Sequence, residues 1–442
     1  MIEIVLATPK DRAWNSIRAY WSRLPGIRTV LIVAAFLRLA SISLVHNFHH
    51  PDTWEFGPIA KNIDAGLGYT VLLINGLRVP SAWEPPGYAY FLAFFYRLGG
   101  ESPMTYLIIE ILQAALGILL VYVVYRLALL LLGQRCAIVA AGLIAIYPAQ
   151  VYMCNEIHSI SIYILLEVAA VFFLIRYLKV TQSWKDIIAA GLCMGLTMLF
   201  RGEAPAILLL YAVILVLLGG RRAARYAAVF VLIASACLAP WTIRNYREFG
   251  RIVPVATIGG WDLWIGNNPQ ATGSDRYNFA PPPPEVQKAF DQVPLDREYE
   301  VAKDDAIKKI TLNYMRTHPR QEAVLVMKKL FMFFVFDPGH QKGRRPAYWV
   351  PSLLLTFLAV YGAILRGKDL IREDLFLVAS VLLAVAVGVA VIVLPRYKIA
   401  IDPFLVIFAA NAIVHLASWT RQGATEGSGE IRDTASVPAQ VN

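Results

Sequence analysis

Apolar runs of about 18 to 25 residues recur along this chain, and they limit its possible folds more than any other feature. A run of that length is what an α-helix needs to cross the hydrocarbon core of a bilayer. The composition agrees, because 57% of the 442 residues are hydrophobic and only 16% are charged. An average soluble protein has about 25% charged residues. The sequence therefore predicts an all-α polytopic membrane protein.

We predict about ten transmembrane helices from these runs. Lys and Arg are concentrated in alternate connecting segments, which the positive-inside rule assigns to the cytoplasm. An even number of spans then puts both termini on the cytoplasmic side and leaves two longer segments on the outer face. The predicted spans are residues 27–46, 104–125, 136–153, 159–176, 186–201, 204–220, 226–243, 347–365, 375–395 and 398–418.

Each outer segment contains an apolar stretch that suits a helix at the membrane surface better than a span. These stretches are SAWEPPGYAYFLAFFYRLGG in the first segment and AVLVMKKLFMFFVF in the second. The predicted organisation begins with a cytoplasmic N-terminal segment 1–26 and a transmembrane module 27–243, whose first outer loop 47–103 carries the candidate catalytic residues. An outer loop 244–346 with interfacial helices follows. The chain then forms C-terminal transmembrane helices 347–418 and a disordered cytoplasmic tail 419–442.

Two carboxylates follow the first predicted span, in the stretch HHPDTWEFGPIAKNIDAGLGY. Asp52 and Glu55 are therefore candidate catalytic residues, since a carboxylate at the membrane surface can act as a general base toward a hydroxyl group. The alternative is that Asp52 caps the following short helix and Glu55 is solvated. The two neighbouring histidines have no spaced partner, and we predict no metal site.

Three arginines lie at the outer ends of predicted spans, where positive charge is uncommon. Arg201, Arg244 and Arg396 are candidates for binding an anionic group, most naturally a phosphate, by bidentate hydrogen bonds. Each one alternatively extends to lipid headgroups or pairs with a nearby carboxylate. Candidate sugar- or acceptor-binding residues in the outer segments are Glu84, Glu156, Trp261, Asn267 and Asn268. Solvated turns and tryptophan anchors at the interface are the alternatives for this second group.

Several functional classes leave no trace in the sequence. It contains no GxxxxGK(S/T), GxSxG or HExxH pattern, so it offers no Walker-type, serine-hydrolase or zincin signature. A net charge of +10 fits cytoplasmic loops and anionic lipid, and we predict no nucleic-acid partner. No cofactor is expected.

Several stretches together resemble the C-type integral membrane glycosyltransferases, specifically the dolichyl-phosphate-mannose protein mannosyltransferase/ArnT-like group. DTWEFGPIAKNIDAGLGY resembles the signature of that group's first outer loop, and PWTIRNYREFGRIVPVATIGGWDLWIGNNPQATG is close to a stretch of its bacterial members. EPPGY, FRGEA and PRYKIAIDP resemble three further motifs. Thr53 stands where the group usually has an acidic residue, and Ile160 where it has a Glu.

The resemblance implies an outer-leaflet enzyme that uses a polyprenyl-phosphate sugar and inverts the anomeric carbon. Asp52 matches the group's catalytic Asp, and Arg201 and Arg396 match its phosphate-contacting arginines. We therefore expect a glycosyltransferase of the cell (inner) membrane, with its active site on the periplasmic side. Its donor would be a sugar on a polyprenyl phosphate, undecaprenyl phosphate in a bacterium, and its acceptor a lipid, a polysaccharide or a protein. The alternatives are a lipid-linked sugar transporter or flippase, and a non-catalytic subunit of an envelope assembly complex.

Overall fold

The computed structural model describes residues 25–273, 284–335, 344–367 and 372–433. Nearly all of the predicted segment 1–26 and the end of the predicted tail, 434–442, lie outside this description. The helices are α1 Pro25–Val45, α2 Phe56–Asp64, α3 Pro86–Gly99, α4 Pro103–Leu132, α5 Gln134–Ile146, α6 Pro148–Tyr152, α7 Ile160–Arg176, α8 Trp184–Met198, α9 Ala204–Phe249, α10 Gly259–Gly266, α11 Pro284–Asp291, α12 Tyr299–Thr317, α13 Pro319–Phe334, α14 Pro346–Arg366, α15 Leu375–Ala390 and α16 Pro395–Asp433.

Every predicted span overlaps a helix, and the all-α polytopic architecture is confirmed. By length and composition, seven helices of the described chain are able to cross a membrane, or eight if the bent pair α5–α6 is one span. The number ten is compatible with this count but is not established by it. Two features explain the difference. Helix α8 is only 15 residues long, and α9 contains both predicted spans 204–220 and 226–243, divided at Gly220 by a non-helical backbone (φ 65°, ψ −163°).

The first helices of the bundle are joined around a buried arginine. Arg38 of α1 is 1% exposed and donates hydrogen bonds to the carbonyl oxygens of Ala34 and Ala145. A Cβ atom at Gly117 of α4 would lie 2.6 Å from Arg38 Nε, so only glycine leaves space for the guanidinium. Both carbonyls bond to Nη1, while Nε and Nη2 are buried without a hydrogen-bond partner within the described residues.

The first outer segment contains α2, α3 and a small hairpin that the sequence did not predict. Strands β1 (Thr70–Leu72) and β2 (Arg78–Pro80) pair antiparallel, and Val71 lies opposite Val79. Three-residue strands are too short to show an alternating pattern. Helix α3 forms in the apolar stretch predicted to lie at the interface, as α13 does in the second segment.

The two outer segments pack against each other beside the hairpin. Glu300 of α12 accepts a hydrogen bond from the backbone N–H of Ala82 (2.8 Å), and the Thr257 N–H donates to the Ala82 carbonyl oxygen (2.8 Å). Burial raises the pKa of Glu300, and the hydrogen bonds that it accepts oppose the rise. These contacts fix the first loop relative to α10, and both carry residues of the candidate site.

Candidate active site

Five charged side chains from distant parts of the chain form one electrostatic cluster. Glu84 is partly buried, and its burial raises the pKa of its carboxyl group to about 8. The negative charges of Glu55 and Asp262 raise this pKa further, whereas Arg396 and Arg201 lower it. Groups affect one another in this way only when they are close together. The structure therefore places Glu55 of the same outer loop, Asp262 of α10 and two arginines at helix ends within electrostatic range of Glu84.

Asp262 is the member of the cluster that the sequence analysis missed. Burial raises the pKa of its carboxyl group to about 6, while Arg396 and Arg201 oppose the rise. Asp262 stands beside Trp261 in GGWDLWIG, and an acid inside a short apolar helix was the available signal. The predicted residue Trp261 instead packs near Phe290 (6.4 Å between ring centroids) and Lys303 (5.7 Å from Nζ to the ring centroid).

Arg201 is held by a carboxylate and two aromatic rings. Its Nε donates to Glu203 Oε1 at 2.8 Å, and its Nη2 also pairs with that oxygen. The guanidinium carbon lies 4.7 Å from the ring centroid of Tyr163 and 5.1 Å from that of Tyr397, within cation–π range. Arg201 also lines a small cavity of about 30 Å³ among α7, α8, α9, α15 and α16, which has room for a water molecule.

A close backbone approach explains why Glu84 lies near Arg201. The N–H of Gly87, in the first turn of α3, donates to the carbonyl oxygen of Leu199 at the end of α8 (2.7 Å). A Cβ atom at Gly87 would lie only 2.7 Å from that oxygen, so the position requires glycine. Pro86 starts α3 without leaving an unused N–H group. The sequence EPPG thus docks the start of α3 on the chain turn that carries Arg201.

Arg396 begins α16 and has unused hydrogen-bonding capacity. Its guanidinium carbon lies 5.9 Å from the ring centroid of Tyr397. Its Nε is buried and has no hydrogen-bond partner within the described residues. A buried unsatisfied donor is unfavourable, so this nitrogen is suited to receive an acceptor atom from a ligand.

Asp52 and Glu55 lie on a turn at the start of the first outer loop. Asp52 is exposed, and its Oδ1 accepts a hydrogen bond from the backbone N–H of Trp54 (2.8 Å), which holds the carboxylate in place. Phe56 is buried against Tyr88, with ring centroids 5.2 Å apart, and anchors this turn. Only two residues lie between Asp52 and Glu55, so their Cα atoms are at most about 10 Å apart. The turn therefore presents Asp52 to solvent close to the cluster.

Three predicted binding residues are instead engaged by the protein itself. Arg244 donates to the carbonyl oxygens of Ser81 (2.6 Å) and Tyr69 (2.7 Å), and it thereby braces the hairpin of the first loop. Asn267 and Asn268 are 1% and 3% exposed, and their amide groups bond to backbone carbonyls of α10. We assign these three side chains a structural role in place of the predicted phosphate and sugar contacts.

Glu156 directly follows the short helix Met153–Asn155. Its backbone carbonyl oxygen accepts a hydrogen bond from Gln113 Nε2 (2.9 Å), which fixes this turn against α4. Within the described residues, no group of three or more His, Cys, Asp or Glu side chains is arranged to hold a metal ion.

The described helices form a polytopic membrane protein whose fold is similar to that of the C-type membrane glycosyltransferases. Residues 83–243 match the family model described as Dolichyl-phosphate-mannose-protein mannosyltransferase, and this match confirms the family resemblance found in the sequence. A comparison with curated proteins finds no match.

Among solved structures, the oligosaccharyltransferase AglB from Archaeoglobus fulgidus, in complex with an inhibitory peptide and a dolichol-phosphate, matches at a TM-score of 0.53 and 16% identity, over 96% of this chain and 53% of that one. The apo form of the Archaeoglobus fulgidus enzyme matches at 0.54 and 14% identity, over 96% and 54%. ArnT from Cupriavidus metallidurans bound to undecaprenyl phosphate matches at 0.40 and 16% identity, over 88% and 78%. The chain thus shares the oligosaccharyltransferase fold and spans about half the length of those proteins.

Proposed function

We propose that this protein is a glycosyltransferase that moves a sugar from a polyprenyl phosphate to an acceptor hydroxyl group at the outer face of the membrane. The observation that carries the proposal is the cluster of Arg201 and Arg396 with three carboxylates beside the first outer loop. In such a site the arginines can bind an anion and a carboxylate can accept a proton, within a bundle of membrane helices. The AglB structure with the same fold holds a dolichol-phosphate, a lipid phosphate of the proposed donor class.

The proposed reaction is a single displacement with inversion. The acceptor oxygen attacks the anomeric carbon, the bond from that carbon to the phosphate oxygen breaks, and the acceptor proton passes to Asp52. The lipid phosphate leaves with the bonding electron pair. Arg396, supported by Arg201, stabilises the negative charge on this phosphate, and electrostatic help of this kind is often the largest contribution to catalysis.

The membrane location of the substrates supports placing the chemistry at this interface. An isoprenoid tail stays in the bilayer, while its phosphate and sugar reach the ends of the helices. The distribution of Lys and Arg favours the periplasmic side for this face and the bacterial inner membrane for the protein. Undecaprenyl phosphate is the proposed carrier, because the sequence motifs are closest to those of bacterial members. The acceptor is a lipid, a polysaccharide or a protein with a free hydroxyl group.

The test begins with mass spectrometry of envelope glycans from cells with and without the protein, which identifies the sugar and the acceptor. Transfer is then measured with purified protein in liposomes, using the matching polyprenyl-phosphate sugar. We expect Asp52→Asn to reduce kcat by about 10²–10⁴, the usual contribution of a general base. Glu55→Gln separates the two candidate bases, and Asp305→Asn is the control, because Asp305 is an outer-loop carboxylate with a side chain 56% exposed.

Transfer by Asp52→Asn at the wild-type rate would remove Asp52 from the mechanism and, if Glu55→Gln is inactive, would move the role to Glu55. If loss of the protein changes only the side of the membrane on which the glycan lies, and the purified protein transfers no sugar in liposomes, the protein is a flippase. Glycans that are lost from cells without any activity of the purified protein toward the donor would favour a non-catalytic subunit.

A further inference from the structure

Lys329 is a buried charge at the meeting point of three segments, and the proposed reaction does not use it. It lies on α13 and is 0% exposed. Its Nζ donates to Asn267 Oδ1 at 2.6 Å and to the Val391 carbonyl oxygen at 2.9 Å. Burial lowers the pKa of this amine to about 8, and Glu322 on the same helix opposes the shift. A lysine is seldom fully buried unless its charge is paired or hydrogen-bonded.

The amine caps the C-terminus of α15. Helix ends leave backbone carbonyls without partners, and a positive charge there is favoured by the helix dipole. Here the Ala390 carbonyl oxygen accepts from Asn267 Nδ2 (2.9 Å), while Val391 accepts from Lys329. The chain turns after this cap, and five residues beyond Val391 it reaches Arg396. The cap therefore fixes the start of the segment that carries Arg396 and its unpartnered Nε.

The same contact reaches the carboxylate side of the cluster. Asn267 directly follows α10, the helix that carries Asp262, and its side chain also bonds to the Leu263 carbonyl oxygen (2.8 Å). Gly266 approaches Val391 so closely that a Cβ atom on it would lie 1.6 Å from the Val391 carbonyl oxygen. Lys329 is thus bonded to both segments, one leading to Asp262 and the other to Arg396.

We propose that Lys329 is a positioning residue that holds Arg396 in the orientation in which it binds the phosphate of the lipid carrier. The role rests on the proposed function, because it concerns the same phosphate. Lys329 does not touch the substrate. It acts through the turn 391–394, which is buried or partly buried and is held a second time by the hydrogen bond from the Val393 N–H to the Gly273 carbonyl oxygen (3.2 Å).

The test uses undecaprenyl phosphate without a sugar as the probe, with its affinity measured on the full-length protein in detergent. We expect Lys329→Met to weaken binding by about tenfold, about 1.4 kcal/mol, because Arg396 is no longer held in its binding orientation. The control is Lys328→Met, because Lys328 is the neighbouring lysine, is exposed, and carries the same charge. Equal affinities of the two variants would overturn the proposal and would attribute any loss to net charge.

A double-mutant cycle separates positioning from general damage. If Lys329 acts through Arg396, Lys329→Met has no further effect on affinity once Arg396→Ala is present. Losses that add in the double variant would refute the link. Should Lys329→Met fail to fold, Lys329→Gln keeps a shorter donor, and an intermediate loss of affinity is expected. Wild-type affinity in Lys329→Gln would refute the link as well.

Hydrogen exchange of residues 391–396 gives a readout that needs no ligand. We expect these amides to exchange at least about tenfold faster in Lys329→Met than in Lys328→Met. Unchanged exchange would overturn the positioning role even if affinity falls. If the wild-type protein does not bind undecaprenyl phosphate at all, the proposed function fails, while the exchange measurement still decides whether Lys329 holds this turn.

Discussion

A buried ion pair in α16 offers a sharp test of how charges are accommodated in this bundle. Lys398 and Asp402 are one turn apart, 4% and 0% exposed, and their charged atoms lie 3.8 Å apart. Lys398 also donates to Thr356 Oγ1 of α14 (3.0 Å), so the pair joins two helices. Two unit charges at about 4 Å attract by about 4 kcal/mol when the effective dielectric constant is about 20.

Removing one partner leaves the other charge buried without compensation. We therefore expect Lys398→Met and Asp402→Asn each to lower the free energy of unfolding by about 3–5 kcal/mol. The double variant buries neither charge, and its loss should be no more than about 1–2 kcal/mol. The coupling energy between the two sites would then be at least about 4 kcal/mol, the size of the Coulombic attraction.

The assay is reversible unfolding in mixed micelles for the wild type, both single variants and the double variant. Lys61 and Glu101 form the control cycle, because their charged atoms are closer, at 2.7 Å, but their side chains are 53% and 43% exposed. A solvated pair of this kind couples by less than about 1 kcal/mol. Equal coupling in both cycles, or additive losses at Lys398 and Asp402, would refute the argument that burial rather than distance sets the strength.

Two further predictions concern the site and its supporting junction. Because the pKa of Glu84 is about 8, raising the pH through that value adds a negative charge beside the proposed phosphate site, so kcat/KM should fall above pH 8 in the wild type and stay level in Glu84→Gln. The same fall in both proteins would contradict the assignment. Gly266→Ala places a Cβ atom 1.6 Å from the Val391 carbonyl oxygen and should lower stability by about 1–3 kcal/mol or more in thermal unfolding, whereas Gly142→Ala, with no atom within 4 Å of the new methyl group, should not.

The spans were predictable because a bilayer imposes a simple length and polarity requirement on each helix. Their number stays a prediction, because a count by helix length depends on how divided and bent helices are treated. The break at Gly220, where φ is positive, falls at the basic connection that separates two predicted spans, whereas a count by length takes α9 as one helix. The bend of 56° between α5 and α6 lies at Pro148, before which Tyr147 has an extended backbone, and hydrophobicity alone does not show it.

The candidate site was predictable where a residue type is unusual for its place, and unpredictable where a distant partner decides its role. Arg201 and Arg396 stood out as charges at outer helix ends, and they do meet in the structure. Arg244 is also a charge at the outer end of a predicted span, yet its partners are carbonyl groups 163 and 175 residues away in sequence. Asn267 resembled a sugar-binding amide, but Lys329, 62 residues later, occupies its oxygen.

The two arginines of the cluster are not equivalent in energy, and this difference bears on how an anion is recognised. Glu203 and two aromatic faces already compensate the charge of Arg201. A phosphate is therefore attracted less strongly by Arg201 than by a guanidinium without such partners. The buried Nε of Arg396 has no acceptor within the described residues. An unsatisfied buried donor costs about 1–3 kcal/mol, and a phosphate oxygen that accepts from it removes that cost. If Arg396 binds the carrier phosphate as proposed, part of the affinity for the carrier is therefore stored in the free protein, in this buried Nε.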